Sequence, residues 1–162
     1  MSRGLSDEAF DRLYTEHAAA LLGFLTYQTG DPSLAEDIVA DTFERVLTAR
    51  SGWRGKSGVK TWIYAIAMNR MRDLARRRSA ESRALDRVAV VATASDDVAA
   101  VSDRDQLGRA LRTLSEEERV VVALRFGGDL SLREIADLLG ERQSTVEGRL
   151  YRALRRLRDA AT

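Results

Sequence analysis

The chain has 162 residues, a formal net charge of +1, a single Pro and no Cys. This length allows one domain or two small ones, and the lack of Cys excludes a disulfide framework or a thiolate metal site. No apolar run approaches the roughly 20 residues that span a bilayer, and no signal-peptide pattern is visible, so we expect a cytoplasmic protein without membrane insertion. Helix-forming residues dominate, which predicts an all-α fold.

The small net charge hides a pattern of alternating sign along the chain. Residues 1–50 sum to −5, residues 51–80 to +7, residues 81–118 to −4 and residues 119–162 to +3. Two separate basic blocks predict two separate contacts with a polyanion such as nucleic acid. For either block alone, a merely solvated helix face is the alternative interpretation.

Apolar residues recur at helical spacing from Ser6 to Thr29, which predicts one or two amphipathic helices. Gly30 ends this segment, Asp31 can cap the next helix, and Pro32 suits its first turn. The second helix is predicted to end near residue 50. Its inward positions are Ile38, Val39, Phe43, Val46 and Leu47. An acidic stripe at i, i+4, i+7 spacing is formed by Asp37, Asp41 and Glu44.

A cationic loop follows, between Trp53 and Trp62. Its Gly55-Lys56-Ser57 run resembles part of a phosphate-binding loop, but the first Gly of that motif is missing and no strand precedes it, so we exclude nucleotide hydrolysis. The loop leads into a helix predicted at residues 61–78. One face of that helix carries Asn69, Arg72 and Arg76. Aromatic and basic side chains together suit unpaired bases; the alternative, a place in the core, is favoured for Trp62.

Residues 81–106 lose the helical pattern, because small and polar residues replace the large apolar ones. This composition predicts a flexible, mildly acidic linker with short helical turns near its end. The chain is therefore expected to consist of a helical domain at residues 1–80, the linker, and a second helical domain at residues 107–162.

Three Ser–Glu pairs at three-residue spacing predict capping boxes at three helix starts in the second domain. They are Ser115–Glu118, Ser131–Glu134 and Ser144–Glu147. The last two helices are joined by a short turn at Gly140, where a positive φ is easily adopted. This is the layout of a helix-turn-helix, whose second helix enters the DNA major groove.

The final helix is predicted to be amphipathic. Its core stripe is Val146, Leu150, Ala153, Leu154 and Leu157. Its opposite face carries Thr145, Gly148, Arg149, Arg152, Arg155 and Arg156. Arginines there can bind phosphates or guanine edges, with a solvated surface as the alternative. Glu147 has two interpretations, as the capping partner of Ser144, which we favour, or as an acceptor for a cytosine amino group.

Four segments in this order resemble bacterial extracytoplasmic-function (ECF) sigma factors. They are residues 35–43 (AEDIVADTF), the loop from Trp53 to Trp62, residues 66–78 (IAMNRMRDLARRR) and the helix-turn-helix. The resemblance covers about residues 8–80 and 107–158. It implies a subunit that binds core RNA polymerase, directs it to promoters and helps to open the DNA, acting by binding and not as an enzyme, without cofactor or metal.

The resemblance also implies roles for individual residues. Docking on core polymerase is implied for Asp37, Ile38, Asp41, Thr42, Phe43 and Val46. Contact with the −10 element is implied for Arg54, Lys56, Lys60, Trp62, Asn69, Arg72 and Arg76. Contact with the −35 element is implied for Ser144, Thr145, Glu147, Arg149, Tyr151 and Arg152. The family further implies an anti-sigma partner, which no residue identifies.

The chain departs from the family pattern at Glu141 and Gln143, where apolar residues are usual, and at Glu147-Gly148, where a basic residue and Ser are commoner. These departures concern the −35 preference more than the fold. The main alternative function is a stand-alone helix-turn-helix repressor or activator, which leaves the acidic stripe and the Trp loop unexplained. A helical adaptor without DNA contact is opposed by the one-sided arginines, and an enzyme by His17, the only His, which has no partner at catalytic spacing.

Overall fold

The computed structural model describes residues 5–49, 58–85 and 102–161. Throughout these ranges the regular structure is helical, which confirms the predicted all-α fold. The chain divides into two compact units, unit 1 (Met1–Thr93) and unit 2 (Ala94–Thr162). Across the same ranges, no helix combines the length and the apolarity that crossing a bilayer would require.

The first helix, α1, is a single uninterrupted helix from Asp7 to Thr29. Ser6 caps its start, since the Ser6 side chain accepts a hydrogen bond from the backbone N–H of Ala9 at 3.1 Å. Gly30 ends it with a φ of +70°, a left-handed conformation that favours glycine. The Gly30 N–H donates to the Thr26 carbonyl at 2.8 Å, which satisfies one of the last carbonyls of the helix.

The second helix, α2, runs from Pro32 to Ala49 and begins as predicted. Oδ1 of Asp31 accepts hydrogen bonds from the backbone N–H groups of Ser33 at 3.1 Å and Leu34 at 3.2 Å. These bonds satisfy N–H groups that have no partner inside the helix. Pro32 stands at the first helical position, where its missing N–H costs nothing.

The third helix, α3, runs from Val59 to Leu85 and is longer at both ends than the predicted 61–78. At its start, the Trp62 N–H donates to the Gly58 carbonyl at 3.0 Å. At its end, residues 79–85 contain neither Gly nor Pro, so no residue type there stops the helix. Loss of the apolar pattern was therefore a poor guide to the end of α3.

The core of unit 1 is built where α1, α2 and α3 pack together. Its fully buried large side chains are Leu21, Phe24, Leu25, Ile38, Val46, Ile63 and Tyr64. The rings of Phe24 and Tyr64 meet edge to face with centroids 5.5 Å apart, a preferred aromatic geometry. Leu47, which was predicted to point inward, is 42% exposed, so that prediction was wrong.

Unit 2 contains four described helices. Helix α4 spans Ser102–Arg112 and so begins inside the segment predicted as linker, of which residues 86–101 lie outside the described residues. Helix α5 spans Glu116–Val122 and continues into a π-helical turn at Ala123–Gly127. Helix α6 spans Leu132–Leu139 and helix α7 spans Gln143–Ala161.

Two of the three predicted capping boxes are confirmed. Ser115 and Glu118 bond each other's backbone N–H groups at 2.9 and 3.1 Å, and Ser131 and Glu134 do the same at 2.8 and 3.1 Å. The third prediction was wrong, because α7 begins at Gln143 and the Arg142 carbonyl accepts the first hydrogen bonds of the helix, from the N–H groups of Thr145 and Val146. Ser144 therefore lies inside the first turn, beyond the position from which a cap acts.

The predicted helix-turn-helix is formed by α6, a tight turn and α7. Gly140 ends α6 with a φ of +68°, and the Glu141 N–H donates to the Ala136 carbonyl at 3.0 Å. Both helices, and the segments that precede them, contribute fully buried side chains. They are Val121, Leu124, Leu130, Ile135 and Val146. Further along α7, Ala153 packs with Leu114 and Val122. Leu154, predicted to belong to the core stripe, is 41% exposed.

Candidate functional site

Four of the six side chains on α2 that were predicted to bind polymerase are buried in unit 1. They are Ile38, Thr42, Phe43 and Val46. Thr42 donates its hydroxyl hydrogen bond to the Ile38 carbonyl at 2.7 Å, and the Phe43 ring meets the Tyr14 ring with centroids 5.0 Å apart. These side chains hold α2 in the bundle and offer no accessible surface of their own.

The acidic stripe lies on the solvent-facing side of α2. Asp37 is exposed, whereas Asp41 is half-buried and its Oδ2 accepts a hydrogen bond from Nε of Arg70 at 2.8 Å. This ion pair joins α2 to α3 beside an open groove that Glu44 and Asn69 also line. Sequence reasoning missed Arg70, because its partner lies 29 residues away in the chain.

The predicted −10 residues fall into three groups. Arg54 and Lys56, like Trp53, lie outside the described residues. Lys60 and Trp62 stand in the first turn of α3 and are half-buried. Trp62 is therefore neither a fully buried core residue nor a freely exposed ring.

Further along α3, three predicted −10 residues share one exposed face. Asn69, Arg72 and Arg76 follow at i, i+3 and i+7 and are all exposed, so their side chains lie on the same side of the helix. Nη2 of Arg76 is 3.9 Å from Oδ1 of Asp73, a distance at which an exposed ion pair contributes little. The face can therefore bind a polyanion at small cost.

On α7, five of the six predicted −35 residues are exposed. They are Ser144, Thr145, Glu147, Tyr151 and Arg152. Tyr151 is 65% exposed although its side chain is large and partly apolar. Glu147 accepts a hydrogen bond from Nε2 of Gln143 at 3.3 Å, so its partner is Gln143 and not the expected Ser144.

Arg149 is the exception among the predicted −35 residues, with only 14% of its side chain exposed. Its two terminal nitrogens donate to the two carboxylate oxygens of Glu141 at 2.5 and 2.8 Å. Nη2 of Arg149 also lies 3.5 Å from Glu117 of α5. The hydrogen bond with Arg149 lowers the pKa of Glu141, and the same bond raises the pKa of Arg149. The pair is therefore charged throughout the neutral range.

Arg156, predicted to lie on the DNA-facing side of α7, also faces an acidic partner. Its Nη1 donates to Oε1 of Glu118 at 2.9 Å, and the same oxygen accepts the Ser115 N–H of the capping box. Glu118 is 5% exposed, so its charge is met by two donors as a buried carboxylate requires. Arg152 and Arg155 remain exposed on the outer face of α7.

Among the described residues, no group of three or more His, Cys, Asp or Glu side chains is placed to hold a metal ion. The chemistry that these surfaces offer is recognition by charge, hydrogen bonding and stacking.

Comparison with known proteins matches both units to regions of the same protein family. The family model Sigma-70 region 2 matches residues 13–81, and the family model Sigma-70, region 4 matches residues 104–157. The chain is 34% identical over 159 residues to the ECF RNA polymerase sigma factor SigL of Mycobacterium tuberculosis, an alignment that covers 90% of this chain and 85% of SigL.

Two solved structures are also similar. The sigma factor RpoE of Bartonella quintana, in complex with the anti-sigma factor NepR, matches with a TM-score of 0.76 at 24% identity over 94% of this chain and 96% of RpoE. That likeness concerns the fold alone. CnrH in complex with the cytosolic domain of CnrY matches with a TM-score of 0.68 at 26% identity over 95% of this chain and 88% of CnrH.

Proposed function

Because this chain belongs to the ECF RNA polymerase sigma factors of the sigma-70 family, which bind core polymerase and direct it to promoters, we propose a division of that function among its described helices. In this proposal α2 docks on core polymerase, α3 holds the −10 element and α7 reads the −35 element. One observation carries the proposal: each of the two matched regions coincides with a helical unit that presents an exposed cationic helix face.

Docking through α2 is proposed to use its acidic surface. Asp37 is exposed and Asp41 is half-exposed at the edge of the α2–α3 groove, so a basic partner surface would meet both carboxylates. Ile38, Thr42, Phe43 and Val46 support this docking from below, because they are buried and fix the direction in which the acidic stripe points.

Holding the −10 element is proposed for the exposed face of α3. Extruding a base from the duplex costs about a few kcal/mol, and single strands are held where cations follow the backbone and aromatic rings stack on bases. Arg72 and Arg76 supply cations, Asn69 supplies hydrogen bonds, and Lys60 and Trp62 stand at the start of the same helix. The roles of Arg54 and Lys56 remain predictions on residues outside the described ranges.

Reading of the −35 element is proposed for the outer face of α7. Arg152 and Tyr151 are exposed two turns or more into the helix, with Ser144 and Thr145 exposed in its first turn. A bidentate arginine contact to guanine discriminates by about 1–3 kcal/mol, which is enough to favour one base at one position. Glu147 is exposed beside them and can accept a hydrogen bond from a cytosine.

We further propose that the protein acts in the cytoplasm by binding, without covalent chemistry. We also propose that an anti-sigma protein inhibits it by covering its binding surfaces. The solved structure of CnrH contains the cytosolic domain of CnrY as its partner, and a protein partner that covers the exposed faces described here would act on this chain in the same way. The alternative, a stand-alone helix-turn-helix regulator, is not favoured, because it gives no place to the region 2 match over residues 13–81.

A charge-reversal pair tests the division of labour. Asp37→Arg should lower the affinity for core polymerase at least tenfold, because it turns an exposed attractive charge into a repulsive one. Asp11→Arg is the matched control, since Asp11 is exposed on α1 and the change in net charge is identical. Asp41→Arg is less informative, because it also breaks the ion pair with Arg70.

Arg152→Ala completes the test from the DNA side. It should weaken promoter-specific transcription by about tenfold, the effect of about 1.4 kcal/mol, and leave the affinity for core polymerase unchanged. If Asp37→Arg and Asp11→Arg lower core affinity equally, or if Arg152→Ala lowers core affinity instead of promoter use, the proposed division is wrong.

A further inference from the structure

Arg149 lies in an unusual place for a residue of a DNA-reading helix. Its guanidinium forms a bidentate pair with Glu141, which follows Gly140 in the turn after α6, and approaches Glu117 at the start of α5 to 3.5 Å. One side chain of α7 thereby contacts both the helix-turn-helix turn and the helix beneath it. The side chain is only 14% exposed, whereas Arg152, three residues on, is exposed.

A second ion pair repeats the arrangement two turns along α7. Arg156, at i+7 from Arg149, donates to Glu118, which neighbours Glu117 in α5. Residues seven apart lie on the same side of a helix, so Arg149 and Arg156 form one row that faces α5. The row borders the core side chains Val146 and Ala153 and is separate from the exposed outer face of α7.

We propose that Arg149 is a positioning residue for −35 recognition and does not itself contact DNA. With Glu141 and Glu117 it forms a clamp that fixes the start of α7 against the turn and α5. The DNA-reading surface is then the outer face. Its members are Ser144, Thr145, Glu147, Gly148, Tyr151, Arg152 and Arg155. This inference rests on the proposed role of α7 in reading the −35 element.

Competition between ligands favours the clamp over a DNA contact. A bidentate Arg–carboxylate pair has two charge-assisted hydrogen bonds in parallel, and a DNA phosphate would have to replace both. If Arg149 left, Glu141 and Glu117 would also remain unneutralised near a polyanion. Arg149 therefore supports recognition best while it stays paired, because it neutralises Glu141 and Glu117, which would repel DNA, and fixes the turn.

Gly148 adds to the definition of the outer face. A Cβ built on Gly148 would lie 3.3 Å from Nη1 of Arg152, so the absence of a side chain lets the Arg152 guanidinium lie across the helix surface. Two of the residues at which the sequence departs from the family pattern, Glu141 and Gly148, thus act on the two arginines separately. Glu141 holds Arg149, and Gly148 makes room for Arg152.

The test uses the full chain assembled with core polymerase, and duplex promoter DNA selected by the wild-type holoenzyme from a randomised library. The variants are Glu141→Gln, Arg149→Gln, the two combined, and Arg152→Ala. The double variant keeps the wild-type net charge, so it removes the ionic clamp without changing long-range electrostatics. The measurements are the melting temperature of the free chain, the ratio of promoter to non-promoter affinity, and the dependence of promoter affinity on salt.

We expect Glu141→Gln and Arg149→Gln each to lower the melting temperature and to reduce promoter selectivity several-fold. In both quantities, the double variant should be no further from the wild type than the more affected single variant. Its salt slope should equal that of the wild type, because no phosphate contact is lost. Loss of one phosphate contact lowers the slope by about 0.9. A fall of that size in the double variant, or tighter promoter binding by Glu141→Gln, would show that Arg149 contacts DNA and would overturn the proposal.

Arg152→Ala separates this inference from the function on which it rests. If the clamp is wrong, Arg152→Ala still lowers promoter selectivity while the melting temperatures of the clamp variants add without coupling. If α7 does not read the −35 element, selectivity stays at the wild-type value in every variant, Arg152→Ala included, and the positioning role fails together with the function.

Discussion

Glu118 offers the most direct test of how unit 2 is held together. Its Oε1 accepts the Ser115 N–H at 2.9 Å and Nη1 of Arg156 at 2.9 Å, and the residue is 5% exposed. In Glu118→Ala the part-buried Ser115 N–H loses its acceptor, which costs about 1 kcal/mol. The pair with the half-exposed Arg156 adds about 0.5 kcal/mol, a value typical of solvated ion pairs. The expected loss is therefore about 1.5 kcal/mol.

This loss translates into a thermal shift that is easily measured. For a unit of this size, 1 kcal/mol corresponds to about 4–8 °C, so the melting temperature of unit 2 should fall by about 6–12 °C. The assay is thermal denaturation followed by circular dichroism, with Trp fluorescence recorded in parallel. Both Trp residues, Trp53 and Trp62, belong to unit 1, so the fluorescence transition reports on that unit.

Two controls make the test specific. Glu118→Gln keeps an acceptor oxygen in place and should cost about a third of the full effect, because only the charge is lost. Glu116→Ala removes an exposed carboxylate from the same first turn of α5 and should cost no more than about 0.5 kcal/mol. If Glu118→Ala destabilises the protein no more than Glu116→Ala does, the hydrogen bonds that Glu118 accepts from Ser115 and Arg156 do not stabilise unit 2, and the prediction is refuted.

Three further predictions concern helix ends and α7. Hydrogen bonds from backbone N–H groups and from Arg78 lower the pKa of Asp31 in the folded protein. The Asp31 carboxylate therefore stabilises the fold above its ordinary pKa of 3.8, and this stabilisation is lost as the pH falls through the lower pKa of the folded state. In acid titrations followed by circular dichroism, the wild type should lose its stability advantage over Asp31→Asn as the pH falls. Gly140→Ala should destabilise unit 2 by about 1 kcal/mol in urea denaturation, because φ is +68° there; an unchanged midpoint would contradict this. Gly148→Ala should raise the melting temperature through helix propensity worth up to about 1 kcal/mol and yet lower promoter selectivity, since the new Cβ displaces Arg152; unchanged selectivity would show that the position of Arg152 is unimportant.

The parts of the fold that could be predicted are those coded by short-range signals. The cap at Asp31, the positive φ at Gly140 and the capping boxes at Ser115 and Ser131 each depend on residues a few positions apart. The third box failed although its sequence spacing was identical to the others, because α7 begins at Gln143, two residues before the Thr145 start that a Ser144 cap would require. The rule recognises the pair of residue types but does not locate the first turn.

The surfaces of the candidate site were harder to predict, because the pairs that define them are distant in sequence. Arg70 with Asp41 and Arg156 with Glu118 are separated by 29 and 38 residues. Helical spacing placed Arg149 among outward arginines, although its position borders the core row and its partner Glu141 lies eight residues before it. A charged residue in a turn where apolar ones are usual was the one available signal.

A tension between two kinds of inference was already present in the sequence for α2. Helical periodicity predicted that Ile38, Phe43 and Val46 point inward, and the structure confirms this. The family resemblance assigned the same residues to the polymerase interface. Periodicity describes where a side chain points, whereas a motif marks a segment that includes both surface residues and the buried residues that support them. Of the six residues, only Asp37 and Asp41 therefore have side chains that a partner can reach.

The most direct test of the account is transcription in vitro with purified core RNA polymerase and a library of randomised promoter sequences. The account predicts that adding this chain yields transcripts from a small subset of templates that share two separate sequence elements, and that Arg152→Ala relaxes the preference in one element only. Transcription no more selective than that of core polymerase alone, or binding of the free chain to the same DNA as tightly as the holoenzyme binds it, would contradict the assignment of this protein's two cationic faces.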